Sequence, residues 1–412
     1  MPRIEISREV PFEKPWWMLE SDVKGFLAFR DSERLRWGKR LPQEELNFHS
    51  LMEWVRQGHS KDNPAHPEFP PWKPKFPASP TVKIHVPGAE HLNVYLKDES
   101  VNGTHKLRMA WEIMKRRHEA LKNNLLHERE AGSIPDFSIL SGGNAALAVG
   151  QMLQWFQAPA KVRALVDEST PKQVEELLER NNVRVYRTKL SREKFTSDDI
   201  LRLTRNSNGI DLTHGKFVQF IDKTFYDWWS FEAMNLMTKR GVRIPDYVVM
   251  PYGTGHLFDN FMYHYMVQVY ESKRDPRLLV KNGDIHGVNV VGVTAPVGSR
   301  MDKLSALFLP GSTKEEAFNQ KINLVSQARR QGIVGQHSQI TLIGGDEEEH
   351  LHKAIEVAKA NNIKAEYSAL ASLAWLLKNA KEIPKGAHVV IVSTGKGIVA
   401  SELEKTNKRK AA

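Results

Sequence analysis

A lysine at the start of a predicted helix is the first residue that could do covalent chemistry. Lys106 follows the strand predicted at Val94–Lys97 and a polar turn, and a helical period runs from Lys106 to His127. A cation at a helix N-terminus meets the positive end of the helix dipole, which lowers the pKa of the amine and favours its neutral, nucleophilic form. Lys106 is therefore a candidate nucleophile, although an ordinary exposed lysine would give the same pattern.

A second candidate site is a turn of small and polar residues between a predicted strand and a predicted helix. The strand covers Phe137–Leu140, and the helix Ala145–Phe156 begins with very small residues. The exposed N–H groups at such a helix start suit a carboxylate or a phosphate. The pattern also fits a plain strand–turn–helix connection without a ligand. The turn residues that could contact a substrate or cofactor are Ser141, Gly142, Gly143, Asn144 and Ala145.

A glycine-containing loop follows the strand predicted at Tyr247–Met250 and precedes another helix. Backbone N–H groups in this layout can cradle a phosphate. Phe258 stands where a dinucleotide-binding G-x-G-x-x-G motif requires its third glycine, so the loop is not that fingerprint. The loop residues that we predict to hold a phosphate are Gly253, Thr254, Gly255, His256 and Leu257.

Two hydroxyl residues, Ser393 and Thr394, follow the strand predicted at His388–Val392. A P-loop would need glycine at the position of Val390 and Ser or Thr at the position of Gly397. ATP binding through this segment is therefore excluded. What remains is a strand that ends with two hydroxyl side chains and a glycine-rich turn.

The elements that position these four segments alternate between strands and helices. Such alternation predicts an α/β protein with parallel sheets, whose sites lie at the carboxyl ends of the strands. Further strands are predicted at Lys161–Val166, Val183–Tyr186 and Val288–Thr294. Further helices are predicted at Pro171–Asn181, Trp228–Lys239, Glu347–Asn361 and Ser368–Asn379.

The two ends of the chain read differently from this body. Residues 1–80 contain five of the ten tryptophans, and seven prolines crowd their last part. Dense proline favours extended backbone, so we predict an N-terminal extension that ends in a strap laid over the body. Residues 405–412 form a basic tail, which we interpret as a solvated end.

Composition limits the class of protein. The chain has 412 residues, 41% of them apolar, which is enough for two lobes with sizeable cores. The net charge of +10 could attract an anionic substrate or a phosphate-bearing cofactor, but no basic and aromatic stripe indicates nucleic acid. The absence of cysteine excludes disulfides, thiolate nucleophiles and thiolate zinc sites. Without a signal-peptide layout or a membrane-length apolar run, we expect a cytoplasmic location and no membrane partner.

No metal site is predicted. His350 and His352 follow a run of acidic residues, but side chains at i and i+2 do not share one face of a helix. An acidic start to the helix, favourable to its dipole, explains this segment better.

The four segments, in this order, resemble the fold type II pyridoxal-phosphate enzymes, the superfamily that is named after the tryptophan synthase β chain. The resemblance extends from about Ser79 to Gly397. It implies that Lys106 forms the cofactor imine and that Asn144 contacts the pyridoxal 3′-oxygen. It implies that the Gly253–Leu257 loop holds the phosphate and that Thr394, or alternatively Ser393, faces the pyridine nitrogen.

The resemblance also implies an architecture of two α/β lobes, each a mostly parallel sheet flanked by helices. The large, cofactor-binding lobe would comprise residues 81–108 and 223–404, and the small lobe residues 109–222. A homodimer is expected as well. The segments Ala365–Leu373 and Ile383–Gly386 look most like threonine synthase.

The implied activity is a β- or γ-elimination or replacement on a small amino acid, as in threonine synthase, cysteine synthase and the serine/threonine dehydratases. Several positions depart from the family pattern. Among them, Gly142 and Ala145 replace hydroxyl residues that usually help to hold the substrate carboxylate, and His256 replaces a loop glycine. The altered substrate turn and the long N-terminal extension leave open an alternative, namely a catalytically altered regulatory or scaffold protein that binds the cofactor or an amino acid.

Overall fold

The computed structural model describes the central part of the chain. The described residues are 79–100, 103–122, 136–141, 143–155, 160–190, 195–213, 225–226, 229–230, 233, 245–262, 265, 287–294, 314–342 and 347–397. The predicted N-terminal extension, except for its last two residues, and the basic tail therefore lie outside the described residues, as does Gly142.

Ten strands are formed within these residues. In chain order they are β1 (Thr81–Lys83), β2 (Asn93–Asp98), β3 (Phe137–Leu140), β4 (Val162–Asp167), β5 (Val183–Thr188), β6 (Ile210–Asp211), β7 (Tyr247–Pro251), β8 (Asn289–Thr294), β9 (Gln339–Leu342) and β10 (His388–Ser393). They are divided between a six-stranded sheet in the order β1-β2-β10-β7-β8-β9 and a four-stranded sheet in the order β5-β4-β3-β6.

Both sheets are parallel apart from one edge. In the larger sheet only β1 runs antiparallel to its neighbour β2, and in the smaller sheet all pairs are parallel. The inner strands are buried on both faces, as in β3, β7 and β10. Continuous apolar runs of this kind are typical of parallel sheets that are covered by helices on both sides.

Within the described ranges, seven α-helices accompany the strands. They are α1 (Lys106–Lys122), α2 (Asn144–Trp155), α3 (Lys172–Arg180), α4 (Ser197–Leu203), α5 (Lys314–Arg330), α6 (Glu347–Ala360) and α7 (Ala371–Asn379). A further helical segment occupies 256–262, and 3-10 turns occur at Tyr367–Leu370 and Ala380–Glu382. No helix among the described residues is long and apolar enough to cross a membrane.

One apolar core connects the two sheets. It includes Leu107 and Ile113 of α1, Leu147 of α2, Val162 of the smaller sheet and Val390 of the larger sheet. Helices α1 and α2 pack against each other, so the helix that carries Lys106 and the helix that begins at Asn144 are joined by apolar contacts. Separate clusters cover the other face of each sheet.

The predicted fold class, an α/β protein with parallel sheets flanked by helices, is confirmed. The smaller sheet is built from residues between 137 and 211, and the larger sheet from segments before and after it. The exact lobe boundaries at 108–109 and 222–223 stay a prediction. One local difference is that Ser368 belongs to a 3-10 turn, because the α-helix begins only at Ala371.

Candidate active site

A cavity of about 150 Å³ lies where the strand ends of the two sheets face each other. The carboxyl ends of β7, β8 and β10 contribute to it from the larger sheet, and that of β3 from the smaller one. The predicted site residues that line it are Lys106, Ser141, Asn144, Ala145, Gly253, Thr254, Gly255, Leu257 and Thr394. Gly143, His256 and Ser393 are described but do not line it. The structure thus brings all four sequence segments to one place.

The turn before Lys106 is attached to the segment that follows β10. The backbone N–H of His105 donates to the Thr394 carbonyl (3.1 Å), and the N–H of Lys396 donates to the Gly103 carbonyl (3.0 Å). Thr104 and Gly395 form an antiparallel bridge between these bonds. The lysine and the candidate pyridine-nitrogen partner are therefore held in one hydrogen-bonded unit.

The amine of Lys106 is suited to nucleophilic attack. Burial lowers its pKa to about 8, and the negative charge of Glu366 offsets part of that effect. An amine with this pKa is partly neutral near physiological pH, whereas an exposed lysine is almost fully protonated there. Burial is thus a second physical cause, besides the helix dipole, that lowers the pKa of Lys106 and supports a covalent role for it.

A network of buried charged groups flanks the turn that precedes Lys106. Arg108 Nε donates to Glu99 Oε2 (3.0 Å), and Ser79 Oγ donates to the other oxygen of that carboxylate. Lys97 Nζ donates to the Ser79 carbonyl (2.8 Å). Burial would raise the pKa of the Glu99 carboxyl, but the nearby charges of Arg108 and Lys97 hold it below its usual value. Because a buried charge is costly unless it is paired, these contacts favour one arrangement of Glu99 and Arg108 relative to each other.

His105 is neutral and has a defined tautomer. Burial, together with the adjacent positive charge of Lys106, lowers the pKa of the imidazole to about 3. Its Nδ1 lies 3.1 Å from the Thr394 carbonyl oxygen, which can only accept, so Nδ1 carries the proton. The ring lies against Tyr226, with 5.4 Å between the ring centroids. His105 thus binds the Thr394 carbonyl twice, through its backbone and its side chain.

The turn after β3 presents a hydroxyl to the cavity. Ser141 Oγ accepts from the N–H groups of Gly143 (3.1 Å) and Ala146 (3.2 Å), which caps the start of α2. These bonds use the oxygen lone pairs and leave the hydroxyl proton as a donor for a ligand. The predicted anion-binding turn therefore has a side-chain donor that complements its backbone.

The glycine loop after β7 is shaped for a close-fitting group. Gly255 has φ +85°, a backbone conformation that other residues rarely adopt. Gly253 has an ordinary φ, and a Cβ atom added there would meet no atom of the described residues within 4 Å. Neither strain nor protein packing therefore requires glycine at 253, but a ligand that lies against the backbone would. The helical segment that begins at His256 follows directly.

The structure distinguishes the two hydroxyls after β10. Thr394 lines the cavity. Ser393 is the last residue of β10, its Oγ is buried, and within the described part of the chain that atom has no hydrogen-bond partner. Thr394 is therefore the residue whose position suits contact with a ligand.

Sequence reasoning assigned no role to several residues that line the cavity. Glu366 and Ser368 come from the turn before α7, Tyr252 from the end of β7, and Thr294 from the end of β8. The hydroxyl oxygens of Tyr252 and Thr294 are buried without a hydrogen-bond partner among the described residues. The position of Thr294 at the end of a predicted parallel strand was the one signal that could have indicated it.

The lining fits pyridoxal phosphate. The cofactor presents an aldehyde, an oxygen on its ring, a ring nitrogen and a phosphate. The cavity offers an amine with a lowered pKa, an amide at Asn144, a hydroxyl at Thr394 and a glycine loop before a helix start. Within the described ranges no group of three or more His, Cys, Asp or Glu side chains could hold a metal ion.

Comparison with known proteins identifies the family. The family model described as "pyridoxal-phosphate dependent enzyme" matches residues 76–395, so the chain belongs to that family and its cofactor is pyridoxal 5′-phosphate. No curated protein matches the sequence.

Solved structures share the fold, which is that of the fold type II enzymes. An O-ureido-L-serine synthase is 16% identical with a TM-score of 0.53, and the match covers 79% of this chain and 94% of that one. An O-acetylserine-dependent cystathionine β-synthase from Helicobacter pylori is 16% identical with a TM-score of 0.51, covering 79% and 94%. Apo diaminopropionate ammonia lyase from Escherichia coli is 16% identical with a TM-score of 0.51, covering 89% and 93%. At such identities the likeness concerns the fold alone.

The lowered pKa of Lys106 predicts how covalent attachment of the cofactor depends on pH. Only the neutral amine attacks an aldehyde, so the attachment rate should rise with pH and level off above about pH 8. Mixing cofactor-free protein with pyridoxal phosphate and following the visible absorbance measures this rate. A half-maximal rate near 10.5, the ordinary lysine value, would contradict the proposed environment of the amine.

Proposed function

We propose that the protein catalyses a pyridoxal-phosphate-dependent β- or γ-elimination or replacement on a small amino acid. The observation that carries the proposal is that Lys106, Asn144, the Gly253–Gly255 loop and Thr394 line one cavity. The solved structures with this fold include two synthases and an ammonia lyase, whose names refer to O-ureido-L-serine, O-acetylserine and diaminopropionate. Each of these compounds is a small amino acid with a heteroatom substituent on the β-carbon.

The residues predicted from the sequence have the following roles in this proposal. Lys106 would hold the cofactor covalently through its amine, and the same amine would move the proton at the substrate α-carbon. Asn144 donates to the 3′-oxygen of the cofactor. The loop of Gly253, Thr254, Gly255, His256 and Leu257 holds the phosphate with backbone N–H groups at the start of a helical segment.

Thr394 selects among the reactions of the cofactor, which supplies an electron sink for the substrate α-carbon when bound. A carboxylate at the ring nitrogen would stabilise a positive charge there, whereas a hydroxyl does not. The electron sink is then weak, which favours rapid loss of a leaving group over transfer of the amino group. We assign this contact to Thr394 rather than Ser393, because Thr394 lines the cavity.

The substrate carboxylate is proposed to bind at the turn that includes Ser141, Gly142, Gly143 and Ala145. Its proposed donors are the available hydroxyl proton of Ser141 and the backbone N–H of Ala145 in the first turn of α2, because the N–H groups of Gly143 and Ala146 already donate to Ser141 Oγ. The substrate expected there is a small amino acid, with or without a second anionic group. A cytoplasmic homodimer remains our expectation for the assembly.

The second candidate is a regulatory or scaffold protein that binds the cofactor or an amino acid without turnover. The observation in its favour is that Gly142 and Ala145 replace hydroxyl residues in the substrate turn. Serine, threonine, O-acetylserine and O-phosphohomoserine, added to the purified protein, separate the two functions. Release of the leaving group supports the enzyme, whereas a spectral change without product supports the second candidate.

Substitution of Gly253 tests the proposed phosphate site. Gly253→Val should weaken the binding of pyridoxal phosphate to the cofactor-free protein by about 10-fold or more, since about 1.4 kcal/mol of lost contact produces that change. Its thermal unfolding midpoint without cofactor should stay close to that of the unmodified protein, because the Cβ atom added at 253 has no atom of the described residues within 4 Å. Titration followed by absorbance gives the dissociation constant.

Gly332→Ala is the matched control. Gly332 has φ +64° and no neighbour within 4 Å of an added Cβ, and it does not line the cavity. This variant should lose about 1 kcal/mol of stability from backbone strain while keeping its cofactor affinity. If Gly253→Val bound the cofactor as tightly as Gly332→Ala does, the phosphate would have to bind elsewhere.

A further inference from the structure

A hydrogen bond between Glu366 and Asn144 crosses the cavity from one sheet to the other. Glu366 precedes the 3-10 turn before α7, which packs on the larger sheet, and Asn144 begins α2 beside the smaller sheet. Asn144 Nδ2 donates to Glu366 Oε2 (3.3 Å) although 222 residues separate them in the chain. Both side chains line the cavity.

The carboxylate of Glu366 is held in place by its own turn. Ser368 Oγ donates to Glu366 Oε1 (2.9 Å), and the backbone N–H of Glu366 donates to the Gly395 carbonyl (3.1 Å). These two bonds hold the Glu366 carboxylate independently of its contact with Asn144.

Gly397 is shaped around this pair. Its φ is +75°, and an added Cβ would lie 2.5 Å from Glu366 Oε2 and 3.6 Å from Asn144 Nδ2. A residue with a side chain at 397 would collide with the carboxylate, which would have to leave its present position. The glycine therefore gives an independent indication that the chain accommodates the Glu366–Asn144 contact.

The chemistry of the two groups determines which end of the amide meets the carboxylate. An asparagine side chain has a donor end, Nδ2, and an acceptor end, Oδ1, whereas an ionised carboxylate only accepts. Turning the amide over would place Oδ1 against the carboxylate oxygen, and two acceptors repel each other. Glu366 thereby favours one of the two amide orientations.

The same orientation suits the 3′-oxygen of the cofactor. That oxygen is anionic when the ring is ionised and needs a donor, and the amide nitrogen has two hydrogens, one for each oxygen. A carboxylate, unlike an amide, can impose this choice because it offers no donor of its own. The Glu366 carboxylate thus favours the orientation in which the Asn144 amide presents an N–H to the cofactor.

We infer that Glu366 is a positioning residue that fixes the amide orientation of Asn144 so that an N–H meets the 3′-oxygen of pyridoxal phosphate. The inference rests on the proposed contact between Asn144 and the cofactor. It adds a residue from the opposite side of the cavity, and it assigns to that residue a role that acts through Asn144.

The test is a double-mutant cycle on the holoenzyme, with the visible absorption spectrum of the cofactor measured as a function of pH. The variants are Asn144→Ala, Glu366→Gln and the double variant, with Glu349→Gln as the control. Glu349 is an exposed glutamate on α6 that pairs with Lys353. Losing a donor to the ionised oxygen should raise the midpoint of the spectral titration by roughly one pH unit in Asn144→Ala, because the ionised form loses a hydrogen bond that stabilises it.

Glu366→Gln should shift the midpoint in the same direction, because a glutamine accommodates both amide orientations of Asn144. This shift should disappear when Asn144 is already alanine, and Glu349→Gln should leave the spectrum unchanged. Ser368→Ala, which removes one of the bonds that hold the carboxylate, should give a smaller shift with the same dependence on Asn144. It provides a second measurement in case Glu366→Gln does not retain the cofactor.

The remaining outcomes overturn the inference in distinguishable ways. A spectrum that is unchanged in Asn144→Ala would remove the proposed contact with the cofactor, and the inference with it. A shift in Asn144→Ala without one in Glu366→Gln and Ser368→Ala would leave that contact standing and reject the role of Glu366. Equal shifts for Glu366→Gln in both backgrounds would show that the carboxylate acts directly on the cofactor or on Lys106.

Discussion

Lys106→Ala is expected to yield a folded protein that no longer attaches its cofactor covalently and lacks the visible band of the lysine-bound form. In our proposal the same residue also moves the proton at the substrate α-carbon. Groups in such a role contribute about 10²–10⁴-fold to the rate, so turnover should fall by at least that factor. The absorption spectrum after dialysis and the rate of product release measure the two effects.

The same substitution should not impair folding. The pKa of the amine is about 8 in the folded chain and 10.5 when unperturbed. Between these values the unfolded chain binds more protons, so the unfavourable effect of burying the amine is full below pH 8 and fades as the pH rises to 10.5. Cofactor-free Lys106→Ala lacks this effect, so its stability at neutral pH should equal or exceed that of the unmodified protein.

Lys385→Ala is the control, because Lys385 is exposed in the turn before β10 and remote from the cavity. It should keep the visible band, the turnover rate and the unfolding midpoint. If Lys106→Ala kept the visible band as well, another lysine would have to bind the cofactor, and the assignment of Lys106 would be wrong.

Local patterns predicted most of the fold, because parallel strands that are buried on both faces leave long apolar runs. The strand predicted at Phe137–Leu140 matches β3, and the one at His388–Val392 is extended by one residue in β10. Short edge strands lack this signal. Strand β9 (Gln339–Leu342) has only one buried residue, and β1 (Thr81–Lys83) likewise, so neither could be predicted from its apolar pattern.

The residues of the candidate site likewise include some that have a local sequence signal and some that do not. Lys106 and Asn144 each stand at the start of a helix, and the Gly253–Leu257 loop follows a strand, so each could be identified from adjacent residues. The role of Glu366 depends on a partner 222 residues away and on a 3-10 turn that has no strong sequence signal. A contact between distant segments leaves no trace in the local pattern of a single sequence.

The choice between Ser393 and Thr394 shows a similar limit at a smaller scale. Side chains alternate between the two faces along a strand, but the alternation breaks where the strand ends. The sequence does not show whether β10 ends before or after Ser393. The structure ends it at Ser393, buries that hydroxyl, and turns Thr394 to the cavity.

Gly395 is expected to be the glycine whose replacement harms both folding and cofactor binding. Its φ is +118°, and an added Cβ would lie 2.4 Å from the Gly103 carbonyl oxygen and 2.7 Å from Thr104 Cα. Because both contacts are backbone atoms, Gly395→Ala must displace either the turn before Lys106 or the segment after β10. We expect a loss of about 2–4 kcal/mol in the free energy of unfolding, above the roughly 1–2 kcal/mol of strain at such a φ alone.

Gly386→Ala separates strain from contact. Gly386 has φ +84° in the turn before β10, and an added Cβ would meet nothing within 4 Å. This variant should show the strain alone and keep the cofactor affinity of the unmodified protein, whereas Gly395→Ala should bind pyridoxal phosphate about 10-fold more weakly or worse. Denaturant unfolding and cofactor titration of the two variants give both comparisons.

The excess effect at Gly395 would arise because Thr104 and Gly395 form one bridge, so Lys106 and Thr394 cannot keep their positions independently. Equal losses of stability in the two variants, with unchanged affinity in both, would mean that the two segments can separate without disturbing the site.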